Sequence, residues 1–220
     1  MLTRRTFVKK TSLAAGVAAV SGVVGCFDEE NHSEKNHKEK TMEMKFSELI
    51  EARRSVRKYA KAEISKDEMA KIVEEALNAP SWKNTETTRY YAAIGDDAKA
   101  KIWRDALPGF NSASSANAAA LVAVAFVPGE SGYLGAAPAD ELREMWGAYD
   151  CGLASSYFIL AAKNHGWDTL IMGIRDTAKV KSILGIPEKE ILMSVIAVGK
   201  SAQRYFKNPR KPVADVLKVT

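Results

Sequence analysis

Apolar positions first fall into helical order at Phe46, Leu49 and Ile50 of "MKFSELIEARRSVRKY". That spacing predicts a first helix with Ser47 as its cap, Glu48 and Glu51 toward its start and Arg53 and Arg54 toward its end. "SKDEMAKIVEEALNAP" predicts a second: Ser65 and Glu68 have capping-box spacing, Met69, Ile72, Val73, Ala76 and Leu77 share one face, and Pro80 ends it. "TRYYAAIG" alternates as a strand, "DDAKAKIWRDAL" has helical order, and "ANAAALVAVAFVPG" becomes a buried strand. The Gly-, Pro- and Ala-containing segment from Pro128 to Pro138 reads as a loop or lid.

The longest helical pattern is "ADELREMWGAYDCGLASSYFILAAKNHG". Its large apolar residues Leu142, Trp146, Leu153, Tyr157 and Leu160 are the expected core positions, and its small residues Gly147, Ala148, Gly152, Ala154 and Ser155 would let another helix approach closely. A strand "WDTLIMG", a short helix "DTAKVKSILG", a strand "EILMSVIAVGK" and a polar tail ending "NPRKPVADVLKVT" follow. Helices around a mostly antiparallel sheet predict an α+β or three-layer fold rather than repeating βαβ units.

Ahead of the first helix the pattern is different. A basic start, an apolar stretch "SLAAGVAAVSGVVG" and Cys26 after small residues have the layout of an export signal. "TRRTFVKK" resembles the twin-arginine export motif and "VVGC" resembles a lipobox. Residues 1–26 are therefore expected to direct export, leaving the protein anchored by lipid at Cys26 on the outer side of the cytoplasmic membrane. Residues 27–43 are polar and rich in both charges, the composition of a flexible tether. One domain is expected over residues 44–220.

Charge sharpens this division. The chain of 220 residues carries a formal net charge of +5, yet Arg4, Arg5, Lys9 and Lys10 precede Cys26 without any acidic residue. The remainder holds 28 Lys and Arg against 27 Asp and Glu, a net of +1, so composition gives no reason to expect nucleic acid as a partner. Two cysteines, Cys26 and Cys151, leave no disulfide within the domain, and His165 is its one histidine, which argues against a histidine-based metal site.

Four short segments carry candidate chemistry. In "ARRSVRKY", Arg53, Arg54 and Arg57 with Ser55 offer guanidinium forks and a hydroxyl suited to phosphate oxygens, or a solvated positive face. In "NAPSWKNTE", Pro80 fixes a turn whose Ser81 and Asn84 suit a polar heterocycle edge or ribityl chain, or simply cap the turn. Gly166 and Gly173 bracket the strand of "GWDTLIMGIR" and would permit close backbone approach to a flat ligand. Arg210 and Lys211 in "NPRKP" would close a phosphate pocket if the tail folds back, or form a surface pair.

In this order the segments resemble the nitroreductase family of flavin-mononucleotide-dependent oxidoreductases, from about Met44 to Leu217: "RRSVRKY" after a first helix, "APSWKN" after a second, a glycine-containing helix through Tyr149 and Asp150, a strand bracketed by glycines, and "VGK" followed by "PRKP". The resemblance implies a three-layer α/β/α homodimer holding two FMN molecules at its interface. Arg53, Arg54, Ser55 and Arg57 match the family's N-terminal phosphate and ribityl contacts, and Arg210 or Lys211 the C-terminal one. Pro80, Ser81 and Asn84 match the turn beside the isoalloxazine ring, with this turn supplied by the partner subunit. Asn111 falls where a polar side chain faces the flavin pyrimidine, and Leu170, Ile171, Met172 and Gly173 match the strand end lining the ring.

The implied activity is two-electron transfer from NAD(P)H or another donor to a nitroaromatic, quinone or similar electron-poor acceptor, by a ping-pong mechanism with no catalytic side chain or metal. The alternative is an exported flavin electron-transfer or ligand-binding lipoprotein without general nitroreductase activity. One departure bears on the substrate: where many members continue with Gln-Pro-Trp, this chain has "TETTRYY", with Glu86 beside the turn.

Overall fold

The computed structural model describes residues 44–220; the export signal and tether expected from the sequence, with Cys26, lie outside the described residues. Strand β3 (Ala120–Phe126) is buried along its whole length, which explains its unbroken apolar sequence: both faces of the sheet are covered. It pairs antiparallel with β2 (Thr88–Ala93) on one edge and with the long β7 (Ile191–Ser201) on the other. Strand β7 also pairs antiparallel with β6 (Asp168–Met172) and, at its C-terminal end, with the short β1 (Tyr59–Ala60). A lone parallel bridge joins Ser55 to Thr169 at the edge of β6. The sheet is thus mostly antiparallel, as the sequence pattern predicts.

Alternation along β3 and β7 feeds two cores. Leu121, Ala123, Ala125, Val195 and Ala197 face α3 (Asp96–Lys101), a π-helical turn at Ile102–Ala106, and α6 (Thr177–Leu184). Val122, Val124, Phe126, Ile196 and Val198 face α2 (Lys66–Ala76) and α5 (Met145–Asn164). A bulge at Met193 shifts the register between Val124 and Ala125, so Leu192 joins the first core although strict period-2 alternation would place it in the second.

The helices follow their caps. Ser65 and Glu68 form the predicted capping box of α2, with 3.1 Å from the Glu68 amide to Ser65 Oγ and 2.9 Å from the Ser65 amide to Glu68 Oε2. Helix α1 (Phe46–Ala52) differs from expectation: its cap is Lys45, whose amide donates to Glu48, and Ser47 lies inside the first turn. Only Leu49 of its apolar face is buried, while Phe46 and Ile50 are exposed.

Helix α5 reverses the predicted core face. Gly147, Cys151, Ala154, Ser155, Phe158, Ala161 and Ala162 are buried against the sheet, Leu142 lies exposed ahead of the helix, and Tyr157 is exposed. Trp146, Leu153 and Leu160 are only partly buried. The cause is close approach: Gly147 sits against the Phe126 ring, and any Cβ built there would lie 2.5 Å from it. Small residues bring the helix down on the sheet, and the larger ones are displaced outward. The segment from Pro128 to Pro138, expected as a loop, includes a short hairpin of β4 (Tyr133–Leu134) and β5 (Ala137–Pro138).

Candidate functional site

Arg53 ends α1, leaving the helix with extended backbone, and Arg54 follows it. The bridge from Ser55 to Thr169, with the Val56 amide donating to the Thr169 carbonyl at 3.0 Å, lays this segment along β6. The C-terminal tail returns to the same place. Lys207 Nζ lies 2.5 Å from a Glu51 carboxylate oxygen, and the Arg57 amide donates to the Tyr205 hydroxyl at 2.8 Å. Arg53, Arg54, Lys207 and Arg210 thereby line one pocket of about 390 Å³, floored by Ser156, Ile159 and Leu160 of α5.

The charge of this pocket is unbalanced. Its one carboxylate, Glu51, is held below the ordinary carboxylate pKa chiefly by its hydrogen bond to Lys207. Burial, then repulsion from Arg210 and Arg54, lowers the Arg53 pKa. Arg54 donates to the Arg53 carbonyl at 2.7 Å, but its Nε is buried without a partner. Three guanidinium groups with an orphaned donor give this pocket the chemistry to hold an anion. Of the other sequence candidates nearby, Ser55 and Arg57 are exposed beside the pocket, with Arg57 Nη1 3.3 Å from the Ser55 carbonyl, and Lys211 is exposed one residue past Arg210.

The strand candidates divide by pleat. Leu170 and Met172 are core residues, while Ile171 and Gly173 are on the surface. A Cβ at Gly173 would meet nothing within 4 Å, so packing within the chain does not require glycine there. Asn111, on α4 (Gly109–Ser115), comes to the same strand end, where its amide nitrogen donates to the Ile174 carbonyl at 2.7 Å.

Pro80 and Ser81 lie elsewhere, beside a cavity of about 30 Å³ next to Asp150 and Tyr90. Lys83, Asn84 and Glu86 all have positive φ, a strained backbone for residues with side chains. Local bonds hold it: the Glu86 amide donates to Ser81 Oγ at 3.0 Å, and Asn84 Nδ2 donates to Glu86 Oε1 at 2.8 Å. The turn is not part of the arginine pocket within one chain.

Sequence reasoning missed what anchors this turn. Asp150, buried on α5, accepts from the Trp82 amide at 2.9 Å and from Ser131 Oγ at 2.7 Å. Ser131 Oγ also lies 2.9 Å from Thr85 Oγ1 and 3.3 Å from Thr87 Oγ1, tying the turn to the segment ahead of the hairpin. The one signal in the sequence is an aspartate directly before Cys151, on the small-residue stripe of a helix, where a charge is retained only with partners. Lys207 and Tyr205 were also missed. Among the described residues, no group of three or more His, Cys, Asp or Glu is placed to hold a metal ion.

Residues 50–200 match the Nitroreductase family. YdgI of Bacillus subtilis, which carries the name of an NAD(P)H nitroreductase, is 28% identical over 202 residues, spanning 78% of this chain and 95% of its own. The CLA biosynthesis enone reductase of Lactiplantibacillus plantarum is 27% identical over 191 residues, spanning 72% of this chain and 86% of its own. A structure from Exiguobacterium sibiricum solved in complex with FMN has the same fold, with a TM-score of 0.71 at 24% identity over 80% of this chain and 98% of that one. The family match covers well over half of the sequence and includes both the sheet and the first arginine cluster: the chain belongs to the nitroreductase family.

Proposed function

We propose that this chain is an FMN-dependent oxidoreductase acting as a homodimer on a small electron-poor acceptor. The arginine pocket carries the proposal: a flavin mononucleotide ends in a phosphate, and the convergence of Arg53, Arg54 and Arg210 on one cavity is the arrangement such a phosphate requires. Ser55 and Arg57 stand next along the chain for the ribityl hydroxyls. From there β6 leads to Ile171 and Gly173, where exposed apolar surface and open space beside the glycine suit a flat ring.

FMN supplies the two-electron chemistry when bound, so the protein needs no catalytic nucleophile or metal. Its residues bind the phosphate, lay the ring against the strand end and leave one face open. NAD(P)H or another donor and then a nitroaromatic, quinone or enone acceptor would use that face in turn, giving ping-pong kinetics. The enone class is added by the likeness to the Lactiplantibacillus enzyme.

A second copy of the chain has two tasks in this reading. It covers Met145, Tyr149 and Tyr157 on the outer face of α5, together with Phe46 and Ile50 of α1. It also brings its own Pro80, Ser81 and Asn84 to a ring held by the first copy, which agrees with the separation of that turn from the arginine pocket. Export through residues 1–26 and a lipid anchor at Cys26 belong to the same proposal and rest on sequence alone. The test is to purify the protein, add FMN, and follow anaerobic reduction by NADH, NADPH and a quinol, then reoxidation by a nitroaromatic, a quinone and an enone. Retention of yellow flavin and turnover of at least one pair is expected. A colourless protein that takes up no FMN would overturn the proposal.

A further inference from the structure

Gly173 and Ile174 follow the last residue of β6 and are held from two sides. The Arg175 guanidinium donates through Nη1 to the Gly173 carbonyl and through Nη2 to the Leu192 carbonyl on β7. Asn111 donates to the next carbonyl, that of Ile174, at 2.7 Å. Two consecutive carbonyls are therefore committed to side-chain donors from different parts of the fold.

Peptide planarity converts this into a statement about amides. A carbonyl and the following N–H belong to one rigid trans unit and point in opposite directions. Fixing the Gly173 carbonyl fixes the Ile174 N–H, and fixing the Ile174 carbonyl fixes the Arg175 N–H. Neither amide donates to an acceptor among the described residues. Around them, Ile171 is 47% and Ile174 65% exposed.

We infer that Arg175 is a positioning residue which, with Asn111, sets the peptide planes at Gly173 and Ile174 so that the Ile174 and Arg175 amides are presented to an acceptor on the bound flavin. The inference rests on the proposed flavin site and adds to it Arg175, which closes the segment "GWDTLIMGIR" without being one of its candidate site residues. Arg175 suits the task because its fork spans two carbonyls, one just past β6 and one on β7, which a lysine ammonium cannot match in the same plane. It also keeps a positive charge behind that strand end, half-buried, with burial lowering its pKa and Nε left without a partner. A fixed charge and fixed amide dipoles favour negative charge at a nearby ring. Asn111 thus supports the backbone through its amide nitrogen, in addition to the flavin contact expected of it.

The experiment uses full-length protein loaded with FMN and compares Arg175→Ala, Arg175→Lys and Asn111→Ala with the unaltered chain. FMN affinity is followed by fluorescence, the midpoint potential of the bound flavin by spectral titration, and kcat and KM by steady-state kinetics. Arg175→Ala is expected to keep FMN affinity within about threefold, because the phosphate pocket is untouched, while the potential falls and kcat drops about tenfold with KM little changed. Arg175→Lys should lie between the two, and Asn111→Ala should move the potential in the same direction. Unchanged potential and kcat in Arg175→Ala would overturn the inference, as would equal loss of FMN affinity and thermal stability with no change in the potential of the flavin that remains. Should Arg175→Ala fail to fold, Arg175→Lys and Asn111→Ala decide by the same readings. If the unaltered chain takes up no FMN, the proposed flavin site itself fails.

Discussion

A single thiol shows what burial does at the residue scale. Cys151 lies between α5 and the sheet, and burial pushes its pKa up from 9.0 to about 11. A raised acid pKa means that the folded state favours the thiol form, so this group stabilises the fold below pH 9 and the contribution fades as pH rises toward about 11. A rise of that size corresponds to about 2–3 kcal/mol. Cys151→Ala should therefore flatten part of the fall in melting temperature across that range, measured by calorimetry. In the unaltered protein the thiol should resist alkylation at neutral pH until denaturant is added. Asp150 is a second case: Asp150→Ala strands the Trp82 amide and takes one partner from the Ser131 hydroxyl, and should cost about 1–3 kcal/mol in chemical denaturation. Neither role is legible in sequence, because a lone cysteine and a lone aspartate gain their meaning from neighbours on β3 and in the loop ahead of the hairpin.

At the scale of elements, the pattern of apolar positions is enough for α2, β3, β6 and β7, each with a clear period or an unbroken buried run. It misleads at α5. Apolar residues lie on every side of that helix, so residue size, not polarity, decides which side meets the sheet. Gly147→Ala tests this directly: the added methyl would overlap the Phe126 ring, and the variant should lose about 1–3 kcal/mol although alanine is the better helix former. Phe158→Ala, which empties the centre of the same contact beside Tyr90, should cost about 3–5 kcal/mol. The bulge at Met193 is equally hidden, since one extra residue leaves composition untouched while it exchanges the two faces of β7 beyond it.

For the whole molecule, the arginine pocket is partly legible: charge and order along the chain point to Arg53, Arg54 and Arg210, but not to Lys207 and Glu51, which tie the tail in place. Their pairing depends on a loop closure that no local pattern records. Arg53→Ala and Arg210→Ala should each weaken FMN binding about 10- to 100-fold, and added salt should weaken binding to the unaltered protein more than to either variant, as read by flavin fluorescence. Lys207→Ala should have a smaller effect, because Lys207 already has a partner in Glu51.

The same ionic tie sets an order of events during synthesis. Glu51 and Lys207 stand 156 residues apart, and Arg210 lies beyond them. The arginine pocket therefore cannot close on a growing chain until Arg210 has left the ribosome. The sheet waits almost as long, because its central strand β7 ends only at Ser201, so capture of an anion would come with the completion of folding rather than guide its start.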